Sequence, residues 1–510
     1  MHRQWKKLLR SRVLWILVGL ACIFGFLSFN PVLGTGGDNT CYILLSKALA
    51  MGKGYVRIYE PGNPPETHFP MGYPLLLAPI TKIFGINIIA YKILNTILYI
   101  VSVFLLAKLF IREKSQLYVS LLVILNPFVL ELASSVLSEI PFMFVNILLF
   151  YLLLKKHDNR IIRYVLPIIL FYAFLVRSAG IAFIVAVIFY LLLKKNYKYA
   201  IYTTIVIIVL SLPLFLRKGP VGGYLRETFL INPYNPDAGF INFLGLIKRV
   251  GFNLKEYFLK LVPGCIIPQI VISRLSVIGF LISIFVVIGF IRSIFFRNFY
   301  AIFTLFYLGM LMIRPPVWNS MRFIFPVIPF ILHFFYEGNV YIVNKLSSKK
   351  HSKGNSHRKF PVATYILPVI TGIFTFFSAI QHINKATPIR NEYFGGNEFA
   401  GYSMDWIRFY QAADWAKSNT PRNAVFICRK PPMFYLRSGR LATNYPLSYD
   451  KSKVLAKVFT GDYVLVDHFY WTGTTYKYLI PAIQSAKERF RVVYVTPPPR
   501  TYILKILKQK

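Results

Sequence analysis

Residues 36–74, GGDNTCYILLSKALAMGKGYVRIYEPGNPPETHFPMGYP, follow directly after a hydrophobic segment at 13–30 that is long enough to span a membrane. The stretch contains an acid, Asp38, then a short amphipathic helix predicted at 42–51, and then repeated glycines and prolines that favour turns. Its last part, continuing to 84, is apolar but too short to cross a bilayer and predicts an interfacial helix at 73–84. Asp38 is therefore expected just beyond the membrane boundary, in an external loop at 31–86.

The chain as a whole has the composition of a polytopic membrane protein. Of its 510 residues 56% are hydrophobic, and the mean hydropathy is +0.53, which is more apolar than a soluble core of this size requires. Eleven candidate spans can be assigned, at 13–30, 87–110, 117–133, 141–155, 161–176, 179–193, 198–216, 275–292, 298–313, 322–336 and 361–381. The predicted fold class is an α-helical polytopic membrane protein.

Basic residues indicate how these spans are oriented. The first span has a basic flank and no clear small-x-small cleavage site, which predicts a retained anchor with a cytoplasmic N-terminus. Counted from there, the basic loops, including a polar linker at 345–359, fall on the cytoplasmic side, as the positive-inside rule requires. An odd number of spans places the C-terminal segment outside, with long external loops at 31–86 and 217–274. The expected location is the plasma membrane of a prokaryote.

The composition changes to that of a soluble domain from about residue 384. Helices are predicted at 405–417 and 475–489, and strands at 424–429, 462–467, 490–495 and 502–507. This alternation predicts a small extracytoplasmic α/β domain over 383–510, following a transmembrane domain over 1–382.

Charge and cysteine content exclude other classes of protein. The formal net charge is +40, but short cytoplasmic loops and anionic lipids account for much of it, so no nucleic-acid partner is expected. The four cysteines lack paired ligand spacing, which argues against a metal knuckle and against a disulfide framework.

Two acids and two arginines stand out because they lie at the outer ends of spans. At these positions a charged carboxylate such as Asp38 or Glu139 is costly to desolvate, unless it pairs with a cation or takes part in the function of the protein. Asp38 could equally be a helix N-cap, and Glu139 an acid at the dipole end of the next span. Arg177 and Arg322 lie where no orientation rule calls for a cation. Each could snorkel, pair with a carboxylate or bind a phosphate.

In several places the sequence resembles the GT-C superfamily of membrane glycosyltransferases. The matching segments are Asp38 with Tyr42, Gly-Tyr-Pro-Leu-Leu-Leu-Ala-Pro at 72–79, Leu-Ser-Glu-Ile-Pro at 137–141, Arg-x-x-Gly at 177–180 and Arg-Phe-x-x-Pro-x-x-Pro at 322–329. Within the superfamily, the chain is most similar to the branch of protein O-mannosyltransferases and the lipid A aminoarabinose transferase. Residues 415–440 look like the extracytoplasmic domain common in bacterial members.

The resemblance implies a hexosyl- or pentosyltransferase. Such an enzyme moves a sugar from a polyprenyl-phosphate carrier to a hydroxyl of a lipid, glycan or protein on the outer face, usually with inversion. Asp38 is implied to be the general base that takes the acceptor proton. Substrate-binding roles are implied for His68, Tyr73, Glu139, Arg177 and Arg322, with the two arginines stabilising the leaving phosphate.

Cofactor use and other functions stay open at this stage. Many relatives have a second acid directly after the first, whereas this chain has Asn39, so a divalent metal is not indicated. A transporter or flippase is one alternative, and it would predict inverted repeats and interrupted spans with polar residues at the midplane. A receptor-like membrane protein is a second alternative, and its function would not change if Asp38 were lost. A related enzyme that has lost catalysis is a further alternative.

Overall fold

The computed structural model describes residues 2–111, 113–155, 159–216, 226–267, 276–348, 362–471 and 473–507. Outside the described residues lie 217–225 and 268–274 of the second predicted external loop, and 349–359 of the predicted basic linker. The chain divides into two compact units, which we call the helical unit (Met1–Asn30, Lys92–Lys218 and Asn242–Pro388) and the mixed unit (Pro31–Tyr91, Gly219–Ile241 and Ile389–Lys510). The domain boundary at 382 stays a prediction.

Helices dominate the described residues, and a small sheet follows them near the C-terminus. In chain order the helices are α1 (His2–Leu27), α2 (Asp38–Ala50), α3 (Gly72–Phe84), α4 (Ile88–Leu109), α5 (Gln116–Leu125), α6 (Pro127–Ala133), α7 (Glu139–Lys155), α8 (Arg160–Val176), α9 (Gly180–Leu193), α10 (Tyr197–Leu216), α11 (Phe243–Glu256), α12 (Ser276–Phe295), α13 (Phe299–Met312), α14 (Ile328–Ser348), α15 (Ala363–Phe394), α16 (Met404–Asn419), α17 (Pro431–Ser438), α18 (Lys451–Val458) and α19 (Ile480–Gln484). The strands are β1 (Val425–Ile427), β2 (Leu441–Thr443), β3 (Tyr463–Val466), β4 (Phe490–Val495) and β5 (Tyr502–Ile506).

The helix lengths and compositions are those of an integral membrane protein. Among the described residues, five segments are long and apolar enough to cross a membrane: Ile88–Leu109, Tyr197–Leu214, Val277–Phe295, Met321–Ser347 and Ala363–Phe394. The bent pair of α5 and α6 makes a sixth if it counts as one span. Arg12–Leu27, α9 and α13 are also apolar, but shorter. The predicted number of eleven spans is therefore not confirmed.

The predicted span at 117–133 is broken in the middle. Helices α5 and α6 meet at an angle of 60°. Asn126 lies between them with an extended backbone, and its Oδ1 accepts hydrogen bonds from the backbone N–H groups of Phe128 (3.0 Å) and Val129 (3.3 Å). Pro127 has no N–H to continue the first helix, so the chain begins a new helix with Asn126 as its cap.

Helices α12 and α14 cross at a pair of glycines. A Cβ added at Gly289 would lie 1.9 Å from the carbonyl oxygen of Phe334, and one added at Gly338 would lie 1.9 Å from that of Phe285. Backbones can approach this closely only where both residues lack side chains, and small residues serve this purpose between membrane helices. The two glycines therefore set the distance between α12 and α14.

We expect Gly338→Ala to lower the free energy of unfolding by about 1–3 kcal/mol or more, because the new methyl group meets backbone that cannot move aside cheaply. The measurement is the melting temperature of the purified chain in detergent. Gly309→Ala in α13 is the matched control, since nothing lies within 4 Å of its added Cβ and alanine favours a helix. Equal melting temperatures for the two variants would contradict the prediction.

The mixed unit contains a five-stranded sheet with the order β2-β1-β3-β5-β4. Strand β1 is parallel to β2 and β3, whereas β5 is antiparallel to β3 and β4. Neighbouring residues of one strand face opposite sides, as a pleat requires: Phe426 packs in one hydrophobic cluster with Phe409, and Ile427 packs in a second with Val454. The sheet therefore has a hydrophobic layer on each face.

The structure confirms five predicted elements of this region within a few residues, namely the strands at 424–429, 462–467, 490–495 and 502–507 and the helix at 405–417. Strand β2 and the helices α17 and α18 were not predicted. The helix predicted at 475–489 is wrong as one element, because the chain forms a π-type turn (Thr475–Leu479), then α19, then a 3₁₀ turn (Lys487–Arg489). Pro481 lacks the N–H that would continue an α-helix, which suits the π-type turn before it, and the helical backbone ends after α19, where Ala486 has a φ of −140°.

The first loop and the sheet pack together within the mixed unit. Tyr435 and Leu436 of α17 pack against a cluster that includes Leu44 and Ala48 of α2. The backbone N–H of Ala442 in β2 donates to the carbonyl of Tyr59 at 2.8 Å. These contacts fix α2, and therefore Asp38, relative to the sheet.

Candidate active site

The site residues predicted from the sequence fall into two groups, one in each unit. The helical unit contains Glu139, Arg177 and Arg322, and the mixed unit contains Asp38, His68 and Tyr73. The residues of each group contact one another or their neighbours within the same unit, so the two groups are described in turn.

In the helical unit, Glu139 binds both arginines. Its side chain is fully buried in the first turn of α7. Arg177 donates from Nη1 to Oε1 of Glu139 at 2.5 Å and to Oγ of Ser138 at 3.0 Å. Arg322 donates from Nε to the same Oε1. The side chains of Arg177 and Arg322 are 13% and 30% exposed. Of the alternatives that the sequence left open for the arginines, pairing with a carboxylate is the one observed.

The turns around this cluster explain two of the sequence motifs. Arg177 caps the C-terminus of α8 in an extended conformation, and α9 begins at Gly180. A Cβ at Gly180 would lie 2.5 Å from the backbone nitrogen of Phe174, so the Arg-x-x-Gly turn needs glycine. Before Glu139, Asn95 of α4 donates from Nδ2 to the carbonyls of Ser135 (2.5 Å) and Leu137 (3.1 Å). The Glu139 end of the pair is thus held by a side chain of α4, and the Arg177 end by the tight turn before α9.

Asn253 fixes the segment that leads to Arg322, and sequence reasoning missed it. This buried residue of α11 donates from Nδ2 to the carbonyls of Met312 (2.7 Å) and Arg314 (2.9 Å). Its Oδ1 accepts from Nδ2 of Asn319 at 2.8 Å. The one sequence signal nearby was the amphipathic stretch at 247–261, which says nothing about what its polar residues contact. Asn253 therefore holds the chain from α13 to Arg322.

We expect Asn253→Asp to reduce turnover roughly tenfold, because the carboxylate keeps the acceptor for Asn319 but leaves the two carbonyls without their donor. Each unsatisfied buried group also costs about 1–3 kcal/mol of folding free energy. Melting temperature and kcat are the two measurements, and a wild-type kcat would contradict the prediction. Phe252→Leu, at an exposed neighbour on the same helix, is the control and is expected to behave like the wild type.

In the mixed unit, Asp38 is the first residue of α2. Gly37 occupies the N-cap position with a φ of +96°, a conformation that glycine adopts without strain. The N-cap interpretation of Asp38 is therefore wrong, and so is the predicted helix start at 42, because Gly37 turns the chain one helical turn earlier. The half-buried Asp38 lies in the first turn, where the helix dipole favours a carboxylate.

Aromatic contacts connect this helix with the rest of the first loop. Tyr42 lies one turn after Asp38, and its ring packs edge-on against Phe69 (5.2 Å between centroids) and Tyr73 (5.1 Å). Tyr73 is fully buried. His68 packs edge-on against Phe69, and its Nδ1 lies 3.7 Å from Oε1 of Glu227. The structure thus joins the segments of Asp38, His68 and Tyr73, while substrate-binding roles for His68 and Tyr73 stay predictions.

Two further residues of this region were not singled out from the sequence. Glu66 is buried and accepts at Oε1 from the backbone N–H groups of His68 (2.6 Å) and Phe69 (3.2 Å). Lys430 donates from Nζ to the carbonyl of Gly36 at 3.1 Å. No sequence pattern links Lys430 to the Asp38 region, because the two partners are 394 positions apart.

Clusters of side chains that could ligate a metal were sought only in the part of the chain that the structure describes. Within it, no group of three or more His, Cys, Asp or Glu residues could hold a metal ion.

Comparison with known proteins finds solved structures with a similar fold. No protein-family model and no curated protein sequence matches it. The archaeal oligosaccharyltransferase AglB from Archaeoglobus fulgidus, in complex with an inhibitory peptide and a dolichol-phosphate, matches with 14% identity and a TM-score of 0.59, over 98% of this chain and 74% of AglB.

ArnT from Cupriavidus metallidurans matches in two states. The apo form has 13% identity and a TM-score of 0.56, and the form bound to undecaprenyl phosphate has 12% identity and a TM-score of 0.54. Both matches cover 96% of this chain and 97% of ArnT. AglB and ArnT are GT-C superfamily membrane glycosyltransferases, so the fold predicted from the sequence motifs is confirmed.

Proposed function

We propose that this chain, which has the fold of the GT-C membrane glycosyltransferases, transfers a hexosyl or pentosyl group from a polyprenyl-phosphate carrier to an acceptor hydroxyl. The structures of AglB and ArnT with dolichol-phosphate and undecaprenyl phosphate support this class of donor. The acceptor is a lipid, a glycan or a protein. The reaction takes place on the outer face of a prokaryotic plasma membrane, with the N-terminus cytoplasmic and 383–510 as an extracytoplasmic domain. The bent pair α5–α6, the three shorter apolar helices, α7 and α8 complete the eleven spans.

The observation that carries the proposal is the convergence of two guanidinium groups on one buried carboxylate oxygen. A guanidinium has five N–H donors, and Glu139 accepts one hydrogen bond from each arginine. By fixing both groups, Glu139 orients cations of the kind that bind phosphate. Donors fixed before the reaction are effective at stabilising charge that develops in the transition state. Arg177 and Arg322 therefore suit a leaving group that departs as a phosphate.

Glu139 has a second oxygen that suits the sugar. Among the described residues, Oε2 of Glu139 is buried and has no hydrogen-bond partner. A buried carboxylate oxygen without a partner is costly, and a sugar hydroxyl would supply the missing donor. We assign Glu139 this second contact, with His68 and Tyr73 as further substrate-binding residues.

In this mechanism Asp38 is the general base. It accepts the proton of the acceptor hydroxyl as the hydroxyl oxygen attacks the anomeric carbon. The bond from that carbon to the phosphate oxygen breaks, and the electron pair leaves with the polyprenyl phosphate. A phosphate needs little protonation to depart, so charge stabilisation by the arginines replaces a general acid. A single displacement inverts the anomeric configuration.

The test is a transfer assay on washed membranes that contain the wild-type chain, with a panel of labelled polyprenyl-phosphate monosaccharides. We expect release of polyprenyl phosphate from one donor and label in an acceptor, with an anomeric configuration opposite to that of the donor. Movement of an intact labelled lipid across sealed vesicles, without cleavage of any donor, would contradict the proposal and favour a flippase.

A further inference from the structure

Lys430 connects the sheet of the mixed unit to the turn that precedes Asp38. It follows β1, beyond the carboxyl end of that strand, and its ammonium group donates to the carbonyl of Gly36 at 3.1 Å. The same nitrogen lies 4.6 Å from the centroid of the Trp471 ring. A Cβ added at Gly37 would lie 3.1 Å from this nitrogen, so Lys430 packs directly against the residue before Asp38.

The backbone around Lys430 is restricted. Lys430 is the N-cap of α17, whose first two residues are Pro431 and Pro432. A residue before proline has few allowed conformations, and proline at the start of a helix fixes the helical φ angle. Helix α17 in turn packs against α2. The Lys430 side chain therefore extends from a rigid base toward the N-terminus of α2.

Charged and titratable groups face Lys430 from three segments: Asp38 and Cys41 from α2, Arg429 from its own loop, and Asp467 after β3. Burial, together with the neighbouring Arg429, lowers the pKa of Lys430 to about 8, although Asp38, Cys41 and Asp467 act in the opposite direction. The charge on Lys430 therefore changes in a pH range where the enzyme can be assayed.

We infer that Lys430 is a positioning residue for Asp38. The ammonium group of Lys430 holds the Gly36–Gly37 turn in place and balances the charge of the Asp38 carboxylate. The inference rests on the proposed function in one respect, namely the role of Asp38 as the base. It gives the C-terminal α/β domain a task that its sequence did not reveal, because a residue of that domain becomes part of the site where the acceptor hydroxyl loses its proton.

The catalytic test compares Lys430→Met, which removes the charge, with Lys430→Arg, which keeps it. At pH 7 we expect Lys430→Met to lower kcat about 10- to 100-fold with little change in the donor KM, and Lys430→Arg to stay within about threefold of the wild type. Wild-type kcat should fall as pH rises through about 8, whereas Lys430→Arg should keep its activity, since a guanidinium stays charged. Lys453→Met, at an exposed lysine of α18, is the control. Wild-type kcat in Lys430→Met, or equal losses in both variants, would overturn the inference.

A second measurement does not depend on catalysis. The purified full chain is treated with an amine-acylating reagent between pH 6 and 10, and the modification of Lys430 and Lys453 is followed by mass spectrometry. In Asp38→Asn we expect Lys430 to react at lower pH than in the wild type, because a favourable charge is lost, with Lys453 unchanged. Identical profiles for Lys430 would overturn the inference. A shifted profile in a chain that cleaves no donor would support the coupling and contradict only the proposed function.

Discussion

Asp38→Asn is expected to reduce sugar transfer by about 10²- to 10⁴-fold, the usual contribution of a general base. The amide has nearly the shape of the carboxylate but cannot accept the proton of the acceptor hydroxyl. Folding should be preserved, because α2 begins after Gly37 and does not use Asp38 as its cap. The measurement is the release of polyprenyl phosphate at saturating donor, with the amount of protein in the membrane determined in parallel.

Asp450→Asn is a matched control, because Asp450 has the helix-cap role that Asp38 lacks. Its Oδ1 accepts from the backbone N–H groups of Ser452 (2.9 Å) and Lys453 (3.3 Å) at the start of α18. Asparagine caps a helix about as well as aspartate, so this variant should transfer sugar like the wild type. If Asp38→Asn also transferred at the wild-type rate, Asp38 would not be the base, and Glu139 would be the next acid to test.

Glu139→Gln is expected to impair both folding and transfer. The wild-type carboxylate is fully buried between two guanidinium groups, and removing one partner of a buried ion pair costs about 3–5 kcal/mol, because charge is left buried without compensation. The arginines would also lose their common anchor, so we expect kcat to fall at least about 100-fold. The measurements are melting temperature in detergent and kcat of the folded fraction.

Glu131→Gln is the control for this change. Glu131 is an exposed acid of α6 in the same unit, and its neutralisation should alter neither melting temperature nor kcat. A Glu139→Gln protein with wild-type stability and turnover would show that the arginines keep their positions without the carboxylate, and would remove the main support for their role at the leaving phosphate.

The sequence by itself determined the membrane class, most helices and the strands β1, β3, β4 and β5. These features depend on hydrophobic periodicity over neighbouring residues, which a single chain displays directly. It also identified Glu139, Arg177 and Arg322, because charged residues at span ends are few and each needs a partner. The same reasoning placed the start of α2 four residues late, because the hydrophobic periodicity does not reveal that Gly37 has a positive φ.

Only the tertiary structure decided which of these residues meet. Arg322 lies 183 positions from the Glu139 oxygen that it shares with Arg177, and Lys430 lies 394 positions from the carbonyl of Gly36. Asn253 likewise reaches the Arg322 segment from another helix. Contacts at such separations depend on how whole helices and strands pack, and packing is set by the summed fit of many side chains. The sequence could therefore identify the charged groups of the candidate site, but not the shared oxygen, the Asn253 contacts or the lysine that binds the carbonyl of Gly36.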